Sequence, residues 1–454
     1  MTMKVDIGWL SAPGVKDPAE AATWAEISLK IGGEVASRVL DERLNAVRNG
    51  LFSSALPLVE WVVDSWPRLV HERRTPASLR EALTLSMGGD AASSGLPREE
   101  FFEWVGYHST RAARAGGAMP DLRIVRFDGG SFAVRMNPDV RGLAPGVTVR
   151  FIDGADSRVN AQDLKAELHR LVESVILRID GVRTERVERL LERWARVQGE
   201  PAAAAGRLGI DDENLGAEDR SAIDAVLSDP TPEVLLGIAE GSAADTASCR
   251  VAEAKAATRE APRSVPEAKA WVRLEDVLRR VRLDRPWLTG WAAASEFRSA
   301  IGLESLEAPA RRFPALLSER CGWPKESQVF GLDAPPTGVD TIHIKRSRQM
   351  PVVMTSSRTP QAHAFRTARS LYYFLFLGGS GDRAVSDSRM IQGRLSEANA
   401  FAAELLAPAD VIRAHTPPNR LWTRRERKLV AASLGVDQQV VMHQIENRGL
   451  GLAD

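Results

Sequence analysis

Residues 365–408 read FRTARSLYYFLFLGGSGDRAVSDSRMIQGRLSEANAFAAELLAP, and this stretch decides how the C-terminal part of the chain folds. In its first portion Phe365, Ala368, Leu371, Tyr372, Leu375 and Phe376 recur at three- and four-residue spacing, which predicts a helix with a wide apolar face. Gly378 and Gly379 are its expected stop. A polar connection comes next. In SEANAFAAELLAP, Ala398, Phe401, Ala402, Leu405 and Leu406 make the buried stripe of a second helix, and Pro408 sits just past its end. The alanines let the two helices approach closely.

This pair resembles the ImmA/IrrE family of intracellular bacterial metallopeptidases. That family carries AHELGH on one helix, and on the next a glutamate followed by AN-x-FAA-x-LL-x-P. Residues 397–408, EANAFAAELLAP, match the second helix almost fully. The first helix matches in frame, with Ala368 at the family's alanine. Arg369 then stands at the first zinc histidine, Ser370 at the catalytic glutamate, Leu371 at the leucine and Tyr373 at the second histidine. Glu397 keeps the type of the third ligand. The resemblance covers about the last third of the chain.

A metallopeptidase helix needs two neutral imidazoles at i and i+4, with a general-base carboxylate one residue after the first. Arg369 is a permanent cation and cannot ligate Zn²⁺. Ser370 has no basic group near neutral pH, and a protonated Tyr373 is a poor ligand. The seven histidines, His71, His108, His169, His343, His363, His415 and His443, include no pair at four-residue spacing. The resemblance therefore implies the fold without the activity. No catalytic residue is assigned, and neither zinc nor another cofactor is expected. The pseudo-active-site cleft is expected to hold Arg369, Ser370, Tyr373 and Glu397. Arg369 is expected to replace the metal by a salt bridge to Glu397, with Tyr373 hydrogen-bonding the same carboxylate. As in zincins, TIHIK (341–345) or PVVMT (351–355) is the candidate edge strand for adding a partner segment.

The 454 residues suffice for two or three domains. Sixty basic against sixty acidic residues leave no global field toward nucleic acid or membrane. Cys249 and Cys321 indicate a reducing compartment without a disulfide framework. The start MTMKVDIGWLSAPG lacks a signal-peptide core, and SALPLVEWVV is too short to span a bilayer. The expected location is cytoplasmic.

The expected class is α+β in three parts. Residues 1–155 read as a small sheet with helices. Trp24 to Leu40 is a hairpin about Gly32-Gly33, and SALPLVEWVVDSWPRLVHE is a helix burying Leu58, Trp61, Val62 and Trp66, with a kink or the start of a new turn at Pro67. A helix from Pro97 to Ala115 carries Phe101, Trp104 and Val105. DLRIVRFDGGSFAVRMNP forms two strands about Asp128-Gly129-Gly130, and VTVRFI adds another. Residues 156–305 read as a helical bracing region, opened by a long helix capped by Asn160. The segment GSAADTASCRVAEAKAATREAPRSVPE is either a helix or a connector. Residues 306–454 are the zincin-like domain.

Ala431, Gly435, Val436 and Val441 have helix-turn-helix spacing. A DNA-binding reading would put Gln438, Gln439 and His443 toward a groove and Arg424 and Arg425 on phosphates. Zero net charge and Glu426 within the basic run favour a closing helical pair instead. The eleven tryptophans fall on apolar stripes and read as core. Asp128-Gly129-Gly130 could bind a cation but reads as a turn. His363 with Glu397 and Glu404 is a candidate displaced metal site. Ser370 lacks any identifiable base. The leading expectation is a catalytically inactive zincin-like protein that binds a partner protein, a regulator or sensor in bacterial stress response or phage defence by analogy. The alternatives are a metallopeptidase with unusual ligands acting on a repressor-type protein, and a DNA-binding regulator.

Overall fold

The computed structural model describes residues 2–12, 14–75, 82–83, 98–114, 118–128, 130–138, 148–213, 215–261, 266, 268–278, 286–303, 309–323, 330–331, 333–356, 359–375, 381–388, 395–415 and 422–450. The class is α+β, as expected. Two units divide the chain, Met1–Leu227 and Ser228–Asp454. Among the described residues no helix is long and apolar enough to cross a membrane.

The first unit contains β1 (Met3–Trp9), α1 (Pro18–Ala22), β2 (Trp24–Ile31), β3 (Glu34–Val35), β4 (Val39–Asp41), β5 (Ala46–Arg48), β6 (Leu51–Ser54), α2 (Leu56–His71) and α3 (Arg98–His108). It continues with β7 (Asp121–Asp128), β8 (Ser131–Asn137), β9 (Val149–Phe151), β10 (Ala155–Asn160), α4 (Ala161–Arg178), α5 (Glu185–Val197), α6 (Glu200–Arg207) and α7 (Ala217–Leu227). Alternation builds the sheet that leads it. Ala25, Ile27, Leu29 and Ile31 of β2 face the core, and so do Met3 and Val5 of β1, paired antiparallel to it. The Gly32-Gly33 hairpin forms, but β3 has only two residues. Val39 and Leu40 instead leave for a second sheet, ordered β5-β4-β9. β7 and β8 pair as expected, within a third sheet ordered β10-β8-β7. Their turn residue Gly129 and the side chain of Asp128 lie outside the described residues.

α2 buries Leu58, Trp61, Val62 and Trp66, and it runs as one helix through Pro67. Phe101, Trp104 and Val105 are buried too. Asn160 caps α4 by accepting from the Gln162 amide at 2.8 Å. The same Asn160 ends β10, and α4 packs its Leu164, Leu168 and Leu171 into the core shared by β1, β2 and α2. The chain therefore has no domain break at residue 155. Instead of a helical region over 156–305, α4–α7 complete the first unit and the next helices open the second.

The second unit contains α8 (Pro232–Ala239), α9 (Ala247–Glu260), α10 (Lys269–Leu278), α11 (Pro286–Ala300), α12 (Phe313–Cys321), β11 (Phe330–Gly331), β12 (Val339–Lys345), β13 (Val352–Thr355) and α13 (Pro360–Leu375). It closes with β14 (Arg383–Ser388), α14 (Leu395–Leu406), α15 (Ala409–Ala414), α16 (Arg424–Leu434) and α17 (Gln438–Arg448). The segment left open between helix and connector is α9, capped by Thr246. Its sheet is ordered β11-β13-β12-β14, and the supposed polar connection supplies β14. Both helices of residues 365–408 are present. Ala368, Leu371, Tyr372 and Leu375 are buried on α13, and Ala398, Phe401, Ala402, Leu405 and Leu406 on α14. Phe376, Gly378 and Gly379 lie outside the described residues.

Two glycines allow backbones to touch. A Cβ on Gly290 of α11 would lie 2.3 Å from the Glu397 carbonyl oxygen, so only glycine lets α11 reach α14. A Cβ on Gly237 of α8 would lie 2.2 Å from the Ala384 carbonyl oxygen of β14. That packing covers the outer face of β14.

Candidate functional site

The site starts from sheet register. On β14 Ala384 and Ser386 point to α8, where the Ser386 hydroxyl donates to the Gly237 carbonyl at 3.1 Å. Val385 and Asp387 must then point to the other face. Opposite them on β12 stand His343, paired with Val385, and Thr341, paired with Asp387. His343 and Asp387 thus share one face, and α13 packs over it with Arg366, Arg369, Ser370 and Tyr373.

Asp387 is the hub. His343 Nε2 donates to its Oδ2 at 2.9 Å, and Tyr373 donates its hydroxyl to Oδ1 at 3.1 Å. Arg369 forms an ion pair with the same carboxylate and donates to Asn399 Oδ1 at 3.2 Å. Arg366 stands 3.7 Å away. Burial alone would push the Asp387 carboxyl up, but Arg369, His343 and Arg366 together outweigh it and hold the group well below the usual carboxylate range. Burial pushes the His343 imidazole down, so the ring is neutral. Burial also pushes the Tyr373 phenol up, reinforced by the Asp387 charge.

Two expectations change here. Arg369 bridges α13 to β14 through Asp387 rather than to Glu397. Tyr372, not Tyr373, donates to Glu397 Oε2, at 2.5 Å. On a helix successive side chains point about 100° apart, so Tyr372 and Tyr373 reach different neighbours. The expected pair puts the counter-charge on the adjacent helix because β14, by sequence alone, reads as a polar connection.

Ser370 does have an imidazole beside it: its hydroxyl bonds His343 Nδ1. Asp387, His343 and Ser370 therefore stand in the order of a hydrolase triad. The arrangement is sealed, however. Ser370 and His343 are 0% exposed, and Ser370 Oγ is also 3.0 Å from the Arg366 carbonyl, a second acceptor for its single proton. Ser370 does not line the neighbouring cleft. A nucleophile that no substrate can reach performs no acyl transfer. The triad is a polar clamp between sheet and helix.

The metal fit fails on the donor set. Arg369, Ser370 and Tyr373 are tied up as described. Glu404 accepts from Gln444 at 2.8 Å and pairs with Arg448 at 3.0 Å, so it does not join His363 and Glu397 in a displaced site. Among the described residues no group of three or more His, Cys, Asp or Glu is placed to hold a metal ion.

Beside the clamp lies an open cleft of 640 Å³ between α11, α13, α14 and α17. Trp287, Phe365, Arg366, Arg369, Asn399 and Gln439 are among its walls. Neither TIHIK nor PVVMT borders it, which removes the edge-strand role. β12 is paired on both sides, and β13 lies between β12 and β11. The helix-turn-helix spacing is realised as α16 and α17 about Gly435, which has φ of 76°. Gln439 and His443 of α17 line the cleft, Gln438 does not, and Arg424 and Arg425 are exposed on α16. The sequence reading thus missed His343, Asp387, Arg366, Asn399, Trp287 and Trp291. The only signal for the first two was the alternation of two short strands.

No protein-family model matches the chain, and a search of curated proteins finds no significant match.

Proposed function

We propose that the chain is a non-catalytic relative of the ImmA/IrrE metallopeptidases that binds a segment of a partner protein in the cleft beside its former metal site. The observation that carries this reading is the clamp itself. The positions where such an enzyme would hold zinc and its general base are Arg369, Ser370 and Tyr373, all engaged with Asp387 or His343. The adjoining cleft stays open, with apolar and hydrogen-bonding walls of the kind that hold ligands. The partner would be a regulator, and a sensing role in bacterial stress response or phage defence belongs to the same proposal.

Display selection of peptides on the full-length protein, followed by calorimetric titration, tests it. Selected peptides should bind at one site and lose binding in Ala362→Arg, which fills the cleft. Zinc-dependent cleavage of unfolded protein, abolished by Glu397→Gln, would replace this reading with a peptidase. A salt-dependent shift of duplex DNA, lost on Arg424→Ala with Arg425→Ala, would replace it with a DNA-binding role.

A further inference from the structure

The cleft wall carries donors that its own acceptors do not satisfy. Arg369 Nε and Trp291 Nε1 are buried and have no hydrogen-bond partner among the described residues. Each such group costs free energy and leaves the wall rich in donors. Arg366 adds an under-compensated charge. Its only ion pairs among the described residues are loose, 3.7 Å to Asp340 and 3.7 Å to Asp387. Asp387 already serves Arg369, His343 and Tyr373. Burial and the neighbouring Arg369 charge both push the Arg366 guanidinium down, more than the distant Asp387 and Asp340 carboxylates hold it up.

Two acceptors in the wall are already engaged. Asp437 caps α17, accepting from the Gln439 amide at 2.8 Å, and Asn399 Oδ1 accepts from Arg369. The apolar part is broad. Trp287 is 43% exposed, and Phe365, Ala362 and Ala403 complete a surface suited to a flat ring.

From these facts we infer that the cleft takes a carboxylate joined to an aromatic ring, the acid seated against Arg366 and Arg369 and the ring along Trp287 and Phe365. A single negative charge matches the under-compensated Arg366 guanidinium. The inference rests on the partner-binding reading and gives the chemistry of the segment that enters: an acidic side chain beside an aromatic one. A small aromatic acid carries the same groups.

Calorimetric titration of the full-length protein separates the outcomes. The probes are phenylpropionate with its neutral amide, and acetyl-Ala-Phe-Asp-Ala-amide with its Asn counterpart. Each acid should bind about tenfold or more tighter than its neutral partner, the usual advantage of a charge-assisted hydrogen bond. The advantage should shrink with added salt and vanish in Arg366→Gln. Trp287→Ala should weaken acid and amide alike, which separates ring contact from charge. Equal binding of acid and amide overturns the inference while leaving partner binding standing. Binding of phenylpropionate without either peptide overturns the inference for a partner segment and makes a small aromatic acid the occupant. No binding of any probe overturns the inference.

Discussion

Replacing Arg369 with methionine keeps most of the side-chain volume and removes the charge. Arg369 and Asp387 are both buried, with side chains 6% and 4% exposed, so solvent screens the pair little. Breaking a buried pair by removing one partner costs about 3–5 kcal/mol. Arg366, 3.7 Å from the same carboxylate, can swing in and recover part of this. The expected loss is therefore near the lower end, about 3 kcal/mol. Asp387→Leu should cost more, because it also strands the His343 Nε2 proton and the Tyr373 hydroxyl. The double variant should be less destabilised than the sum of the singles by roughly 2 kcal/mol, since neither buried charge is then left alone. Urea unfolding, followed by hydrogen exchange at β12, β14 and α13, reads this within the second unit. Arg369→Met costing under about 1 kcal/mol, the range of an exposed pair, or strict additivity in the double, would refute the clamp.

Other consequences are testable in the same way. His343 has its pKa lowered on folding, so its contribution is present above the unfolded value, about 6.5. It is lost as pH falls below that, by up to about 1.4 kcal/mol per pH unit. Asp387, also lowered, adds a second loss below about pH 4. His343→Gln should flatten the first limb of stability against pH, and an unchanged limb would contradict a neutral buried imidazole. Gly290→Ala, with its new methyl 2.3 Å from the Glu397 carbonyl, should cost about 1–3 kcal/mol by overpacking. Unaltered melting would show that α11 and α14 do not touch there. Tyr372→Phe should cost roughly 1 kcal/mol through the lost bond to Glu397, with no effect expected if that bond is absent in solution. Residues 228–454 expressed alone should fold, as judged by cooperative unfolding. A fragment from 306 that folds as well would restore the three-part division.

Residue spacing made parts of both units readable. The α13 and α14 stripes, Asn160 as a cap and the β7–β8 pair come from period and turn chemistry alone. Three things were not readable. β1 opens the chain with only Met3 and Val5 as fully buried alternating residues, too few to stand out. β14 contains Ser386, Asp387 and Ser388, a polar string that is buried only because β12, α8 and α13 surround it. Missing β14 displaced the ion pair. Without Asp387 in view, Glu397 was the nearest carboxylate to assign to Arg369. The boundary at 155 failed for a related reason. Asn160 serves both strand and helix, so a change of periodicity there is no change of domain.

The most direct measurement is the zinc content of the full-length protein after expression in zinc-supplemented medium, with its melting temperature taken in excess zinc and in chelator. An arginine clamp in place of the metal predicts no stoichiometric zinc and the same melting temperature in both. Tightly held zinc near one per chain, lost on Glu397→Ala together with the thermal stability of the second unit, would contradict it.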